Sequence, residues 1–183
     1  SSTAQNGNPT LSPTPAPTLA RPQGNHPVSN YCVISPVLSR GEQPNRTGFE
    51  QLKIDGIKTI VNLRSSDSDK TMLKGLGLRY LRIPQYAFNT SDKDIARFLR
   101  VVTDSDFTPV FVHCLHGSDR TGMMVAAYRI CVESWTSQRA IDEMQVFGFH
   151  GIFENIRRRV RAIDPEAMMK AVGGLPSPEY IIP

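Results

Sequence analysis

Apolar residues along this chain fall into two rhythms, and each predicts a different element. Short runs rich in β-branched residues, YCVIS, KTIVNLR, LRYLRIP and PVFVHC, read as strands, the third ended by Pro84. Between them the spacing turns helical. PNRTGFEQLKIDGI places Phe49, Leu52 and Ile57 on one face, and SDKDIARFLRVVTD opens with Ser91 as a cap and Asp94 three residues on. TGMMVAAYRICVES is apolar on nearly every side, as a helix packed inside a domain is, whereas SQRAIDEMQVFG and FENIRRRVRAI are amphipathic. Strands alternating with helices, then a run of helices, predict an α/β fold with a mainly parallel central sheet flanked by helices.

The first 27 residues break both rhythms. They are rich in Pro, Ser, Thr and Asn with no periodic apolar face, so residues 1–27 are expected to be a disordered or extended tail and residues 28–183 a single domain. A chain of 183 residues accommodates one core of ordinary size. With 39% hydrophobic and 21% charged residues and a net charge of +4, the composition is globular and mildly basic. That excess suits an anionic ligand, but without a basic run interleaved with aromatics it does not call for nucleic acid. The run Arg157, Arg158, Arg159 and Arg161 reads as a solvated helix face. Three cysteines, Cys32, Cys114 and Cys131, leave at least one thiol unpaired, and no metal-binding spacing accompanies them. No apolar run approaches the roughly 20 residues that span a bilayer. Because the chain begins at Ser1, a removed export signal or a trimmed start is expected, with a periplasmic or secreted location ahead of a cytoplasmic one, and a monomer is expected.

The chemistry concentrates in HCLHGSDRTG, residues 113–122, between an apolar strand and an apolar helix. A strand ending in His113-Cys114, a loop containing Gly117 and a helix opening after Arg120 would aim successive backbone N–H groups at one centre, a nest for a tetrahedral oxyanion. Arg120 adds a planar fork that grips two phosphate oxygens at once. The same field favours Cys114 as a thiolate, able to attack a bound phosphorus.

HC-x5-R-[ST]-G after an apolar strand resembles the signature loop of the cysteine-dependent protein tyrosine phosphatase superfamily. LSRGEQPN, IVNLR, RYLRIP and the helices after the loop extend the likeness to small bacterial dual-specificity-like and phytase-like members, over roughly residues 31–163. The resemblance implies a phosphocysteine intermediate on Cys114, phosphoryl binding by Arg120, a loop oriented by His113 and a hydrogen bond from Thr121 to the departing sulfur. Leu115, His116, Gly117, Ser118 and Asp119 would contribute mainly backbone N–H groups, with no metal or cofactor. Many relatives carry a general acid on a separate earlier loop, yet here the corresponding RIPQYAFNT has no carboxylate. Asp92 and Asp94 fit the first turn of a helix, where the macrodipole favours acids. Asp119 is the alternative: a bound phosphate would repel it and favour its protonated form, or it braces the loop. C-x-x-G-x-D-R-T is also similar to the myotubularin loop, and Asp before Arg recurs in Sac-type phosphatases; both families act on inositol phospholipids.

A phosphomonoesterase acting on inositol polyphosphates is therefore the leading expectation, with His116, Arg64 and Arg82 as further cations for a dense anionic substrate. Tyr86 and Phe88 would instead wall a phosphotyrosine pocket, making a tyrosine or dual-specificity phosphatase. A catalytically silent phosphate-binding module is opposed by the intact Cys114, Arg120 and Thr121. Sulfur transfer or arsenate reduction lacks an obvious resolving cysteine.

Overall fold

A computed structural model describes residues 18–86, 90–148 and 154–183. Its sheet runs β1-β2-β5-β3-β4, from β1 (Cys32–Ser35), β2 (Leu38–Gly41), β3 (Thr59–Asn62), β4 (Arg79–Arg82) and β5 (Val110–His113). β1 and β2 form an antiparallel pair, and the other neighbours are parallel. The helices are α1 (Arg46–Ile54), α2 (Asp69–Met72), α3 (Asp92–Val102), α4 (Asp119–Cys131), α5 (Ser137–Val146), α6 (Glu154–Arg161) and α7 (Pro165–Gly173).

Alternation along the strands divides the core between two faces. Leu38, Val61, Leu63, Leu81, Val110, Val112 and Cys114 join one cluster with the buried sides of α3, α4, α5, α6 and α7. Ile60, Tyr80 and Phe111 join a smaller one with Phe49 and Leu52 of α1. β5 sits at the centre of the sheet with all four residues buried, as a continuous apolar run in a parallel sheet requires. α4 follows it directly and is buried over ten of its thirteen residues, which is why its sequence shows no polar stripe. A buried forked ion pair ties α4 to α5: Arg129 Nε and Nη2 each donate to Glu143 at 2.9 Å.

The expected strands and long helices are present, and Ser91 caps α3 by accepting from the Asp94 N–H at 3.1 Å. Three elements lay outside the sequence expectation. β2 has a single aliphatic side chain among its four residues and gains its place by pairing on both sides. α2 is one turn long. α7 begins at Pro165 after Asp164, whose side chain accepts from the N–H groups of Glu166 and Ala167. α4 starts at Asp119, slightly before the point the motif suggested. Part of the stretch expected as a tail is tied to the domain: Gln23 N–H donates to the Tyr31 carbonyl at 2.7 Å, and the His26 ring stacks on Tyr31. Past α7 the chain returns to the sheet, where Ile181 exchanges two backbone hydrogen bonds with Tyr80 on the outer edge of β4.

Candidate active site

Parallel pairing lines up the ends of four strands, with Gly41, His113, Asn62 and Arg82 side by side across the sheet. The segment from Cys114 to Ser118 leaves this edge and turns into α4. Its four leading carbonyls each accept from a different donor. His113 Nδ1 faces the Cys114 carbonyl at 3.0 Å, and the Gln43 N–H donates to that of Leu115 at 3.1 Å. Asn30 Nδ2 donates to the His116 carbonyl at 3.4 Å, and Arg40 Nη2 to that of Gly117 at 2.7 Å. In a trans peptide the C=O and the following N–H point opposite ways. Carbonyls drawn to the outside of the loop therefore turn the N–H groups of Leu115 to Ser118 toward its inside, where an oxyanion would sit.

Gly117 makes that turn possible. It has φ +68°, and a Cβ placed there would lie 2.5 Å from the Gly41 carbonyl oxygen, so β2 leaves no room for a side chain. Ser118 spends its hydroxyl on the Phe147 carbonyl at 2.9 Å, tying the loop to the end of α5. Cys114 lies at the base of the loop, 2% exposed. Asp119 and Arg120, both half-buried, occupy the first turn of α4, whose unpaired N–H groups and dipole add positive potential. Thr121 is fully buried, and its Oγ1 has no hydrogen-bond partner among the described residues. Leu115 and His116 are exposed on the rim.

On the α1 face, His113 is fully buried with Nε2 2.6 Å from Asp69 Oδ2, the other carboxylate oxygen accepting from Gln43 Nε2 at 2.6 Å and Arg64 Nη2 at 3.1 Å. The ring thus lies between a carboxylate and the Cys114 carbonyl, both acceptors, and it donates to both at once when each nitrogen carries a proton. Asp69, which fixes the His113 ring, is among the site's neighbours that sequence reasoning did not single out. Its one visible signal was an acid in a Ser-Asp-rich stretch soon after a strand, which also describes an ordinary surface loop.

Arg64 and Arg82 are held by their neighbours. Arg64 Nη2 bonds Ser68 Oγ at 2.8 Å besides Asp69, while Arg82 donates to the Ser65 carbonyl and faces Asp67. Asp67 also accepts from the Tyr80 hydroxyl at 2.8 Å, and burial pushes that phenol well above its usual range. The other acids considered lie at the start of α3. Asp92 pairs with Arg159 of α6, and Asp94 accepts from Gln85 Nε2 at 3.1 Å and Arg97 Nη1 at 3.3 Å. Asp119, the first residue of α4, is the carboxylate at the loop-helix junction. Tyr86 is exposed, and Phe88 lies outside the described residues. Cys32 is buried and Cys131 half-buried, and burial pushes the Cys131 thiol up to about 11. Among the described residues, no group of three or more His, Cys, Asp or Glu is placed to hold a metal ion, and no helix is long and apolar enough to cross a membrane.

A thiol at the base of an N–H-lined loop, at the end of a central parallel strand and followed by an arginine in the first turn of the next helix, defines a protein of the cysteine-dependent tyrosine phosphatase class. Within it, residues 33–159 match the family model described as DSP-PTPase phosphatase fused to NAD+ Kinase (PTP-NADK), and the chain belongs to that family. It is 35% identical over 128 residues to the dual specificity protein phosphatase TpbA of Pseudomonas aeruginosa strain PAO1, covering 69% of this chain but only 58% of that protein. The crystal structure of P. aeruginosa TpbA superposes with a TM-score of 0.75 at 31% identity, covering 88% of this chain and all of that one. A second TpbA structure, in complex with pTyr, gives 0.74 at the same identity, covering 88% of this chain and 99% of that one. The inositol diphosphatase DSP3 of Arabidopsis thaliana is 26% identical over 127 residues, 65% of this chain and 62% of that protein.

Because a Cβ at residue 117 meets the backbone of β2, Gly117→Ala should displace the loop while leaving the sheet in place. Vanadate affinity and kcat/KM for an aryl phosphate are expected to fall by about 10²-fold, the scale of a 1 Å misplacement. An unchanged vanadate affinity would show that the loop tolerates the shift.

Proposed function

We propose that this chain hydrolyses phosphate monoesters through a phosphocysteine intermediate on Cys114. The observation that carries the reading is the outward commitment of the four loop carbonyls, which presents a ring of N–H groups above the thiol. In the first step the Cys114 sulfur attacks phosphorus, the P–O ester bond breaks, and Asp119 gives a proton to the departing oxygen. Water then attacks the phosphocysteine with Asp119 taking its proton, and the sulfur leaves as a thiolate that the buried Thr121 hydroxyl is free to meet. Arg120 grips the non-bridging oxygens throughout.

Replacing Cys114 by Ser should abolish phosphate release and retain phosphate binding, since the N–H groups and Arg120 remain. Vanadate should inhibit and chelators should not; turnover surviving in the Ser variant rejects the nucleophile.

Asp119→Asn should lower kcat on alkyl phosphates by about 10²–10⁴, with a smaller loss on activated aryl esters whose leaving groups need little protonation. Equal losses on both would assign Asp119 to bracing the loop, and a selective loss in Asp92→Asn would move the role there.

For the substrate, a phosphorylated tyrosine or other singly phosphorylated protein side chain is the class the arrangement favours. A dense polyphosphate needs cations beyond Arg120, and two of the three expected from the sequence, Arg64 and Arg82, are engaged by Asp69, Ser68, Ser65 and Asp67. Likeness to TpbA, solved in complex with pTyr, supports the same class. Inositol polyphosphates remain the second reading, supported by the likeness to the DSP3 inositol diphosphatase and by His116 on the rim. Phosphotyrosine peptides are expected to show the higher kcat/KM at every ionic strength. A low-salt advantage for inositol hexakisphosphate that shrinks as salt rises would reverse the assignment, because screening acts most on the more highly charged ligand.

A further inference from the structure

Arg40 is the largest fully buried side chain of the described residues, and it sits in the middle of the short strand β2. An arginine is rarely buried without partners for its donors. Here Nη2 is used on the Gly117 carbonyl at 2.7 Å, while Nε and Nη1 are buried with no hydrogen-bond partner among the described residues. One flat face of the guanidinium lies on the Phe147 ring, 3.8 Å from its centroid. Gly122, in the first turn of α4, lies beside it: a Cβ there would sit 3.8 Å from Arg40 Nη2, in ordinary van der Waals contact. A methionine or leucine would fill such a position without the cost of burying a charge, so the charge itself calls for a reason.

The sheet register supplies one. Arg40 pairs with Val112 across β2 and β5, and the face that carries Val112 also carries Cys114 two residues on. The charged and titratable groups around Arg40 are Glu143 of α5, Arg129 of α4, Cys32 of β1 and Cys114. Glu143 is already committed to both nitrogens of the Arg129 fork. Burial pulls the guanidinium down to about 10, which still leaves it cationic at neutral pH. Around Cys114 itself stand His113 backed by Asp69 on the opposite face, and Asp119 and Arg120 at the start of α4.

We propose that Arg40 is a positioning residue for the phosphatase reaction, holding the Gly117 carbonyl away from the phosphate site while its buried cation stabilises the Cys114 thiolate from beneath the loop. The inference rests on Cys114 as the nucleophile. In this division of labour Arg120, half-buried in the first turn of α4, serves the phosphate, whereas Arg40, fully buried behind Gly117, does not touch substrate. Two functions separate by chemistry: the bond to Gly117 needs a donor, whereas the effect on sulfur needs a charge.

Three substitutions therefore test it. Arg40→Gln keeps a donor and removes the charge, Arg40→Lys keeps the charge, and Arg40→Met removes both. The rate of iodoacetamide capture of Cys114 is followed against pH on its own tryptic peptide, which excludes Cys32 and Cys131 and requires no substrate. The Gln and Met variants should move the midpoint up by about one pH unit or more, the usual effect of losing an opposite charge close to an ionised group. The acid limb of the kcat/KM profile should move with it. Lys should leave the midpoint near that of the unaltered protein. A Gln variant that matches the unaltered protein overturns the electrostatic role. Should neither uncharged variant give a native circular-dichroism spectrum, Lys decides alone, a full-unit shift there overturning the inference. If the unaltered protein shows pH-dependent capture but no phosphate release, the phosphatase reading fails and the role of Arg40 in thiolate formation stands on its own.

Discussion

Four backbone carbonyls held outward between Cys114 and Gly117 are the constraint on which the site depends. A peptide group has two polar edges, and a loop cannot present one inward unless the other is satisfied elsewhere. In this protein the satisfaction comes from four separate places in the chain: a ring nitrogen on β5, a backbone N–H at Gln43, an amide at Asn30 and a guanidinium on β2. Remove the fold and the motif HCLHGSDRTG is a flexible glycine-containing segment with no preferred centre. The anion site is thus a property of the sheet edge as much as of the loop.

The two faces of the sheet hold that loop in different ways. On the α1 face a carboxylate, Asp69, is buried and fixes the His113 ring, with Gln43 and Arg64 completing its hydrogen bonds. On the α4 face a cation, Arg40, is buried and fixes Gly117, stacked on Phe147. Phe147 in turn accepts from Ser118, so α5, which contributes no residue to the motif, still clamps it. Charges buried on both sides of one apolar sheet cost solvation, and they persist where the geometry uses them.

Much of the architecture was legible from periodicity because β3, β4, β5 and the long helices bury regular apolar faces. The loop residues were legible because strand, Gly117, Arg120 and an apolar helix stand next to one another in the chain. What escaped was set by contacts distant in sequence. β2 looks polar because its Arg40 is a core residue, a reversal that hydropathy cannot signal. Asp69 lies 44 positions from the histidine it orients, and one-turn α2, which carries it, is too short to show a period. Arg64 and Arg82 looked available for substrate because a sequence displays charges without their partners, which are Ser65, Asp67 and Ser68 on the short β3–α2 connection and Asp69 at the start of α2.

The return of the chain to β4 bears on how the domain comes to exist at all. An outer strand with unpaired N–H and C=O groups is a template for another molecule, and here it is capped at Tyr80 by Ile181, about a hundred residues further along. During synthesis β4 emerges long before its cover, so the nascent chain passes through a stage in which this outer edge at Tyr80 is unpaired. Gly75 makes a second bond to the same returning segment, donating to the Pro183 carbonyl at 3.1 Å, so closure of that margin waits on residues about a hundred positions beyond β4. The making of β4 and the covering of its outer edge are, in this protein, separated in time.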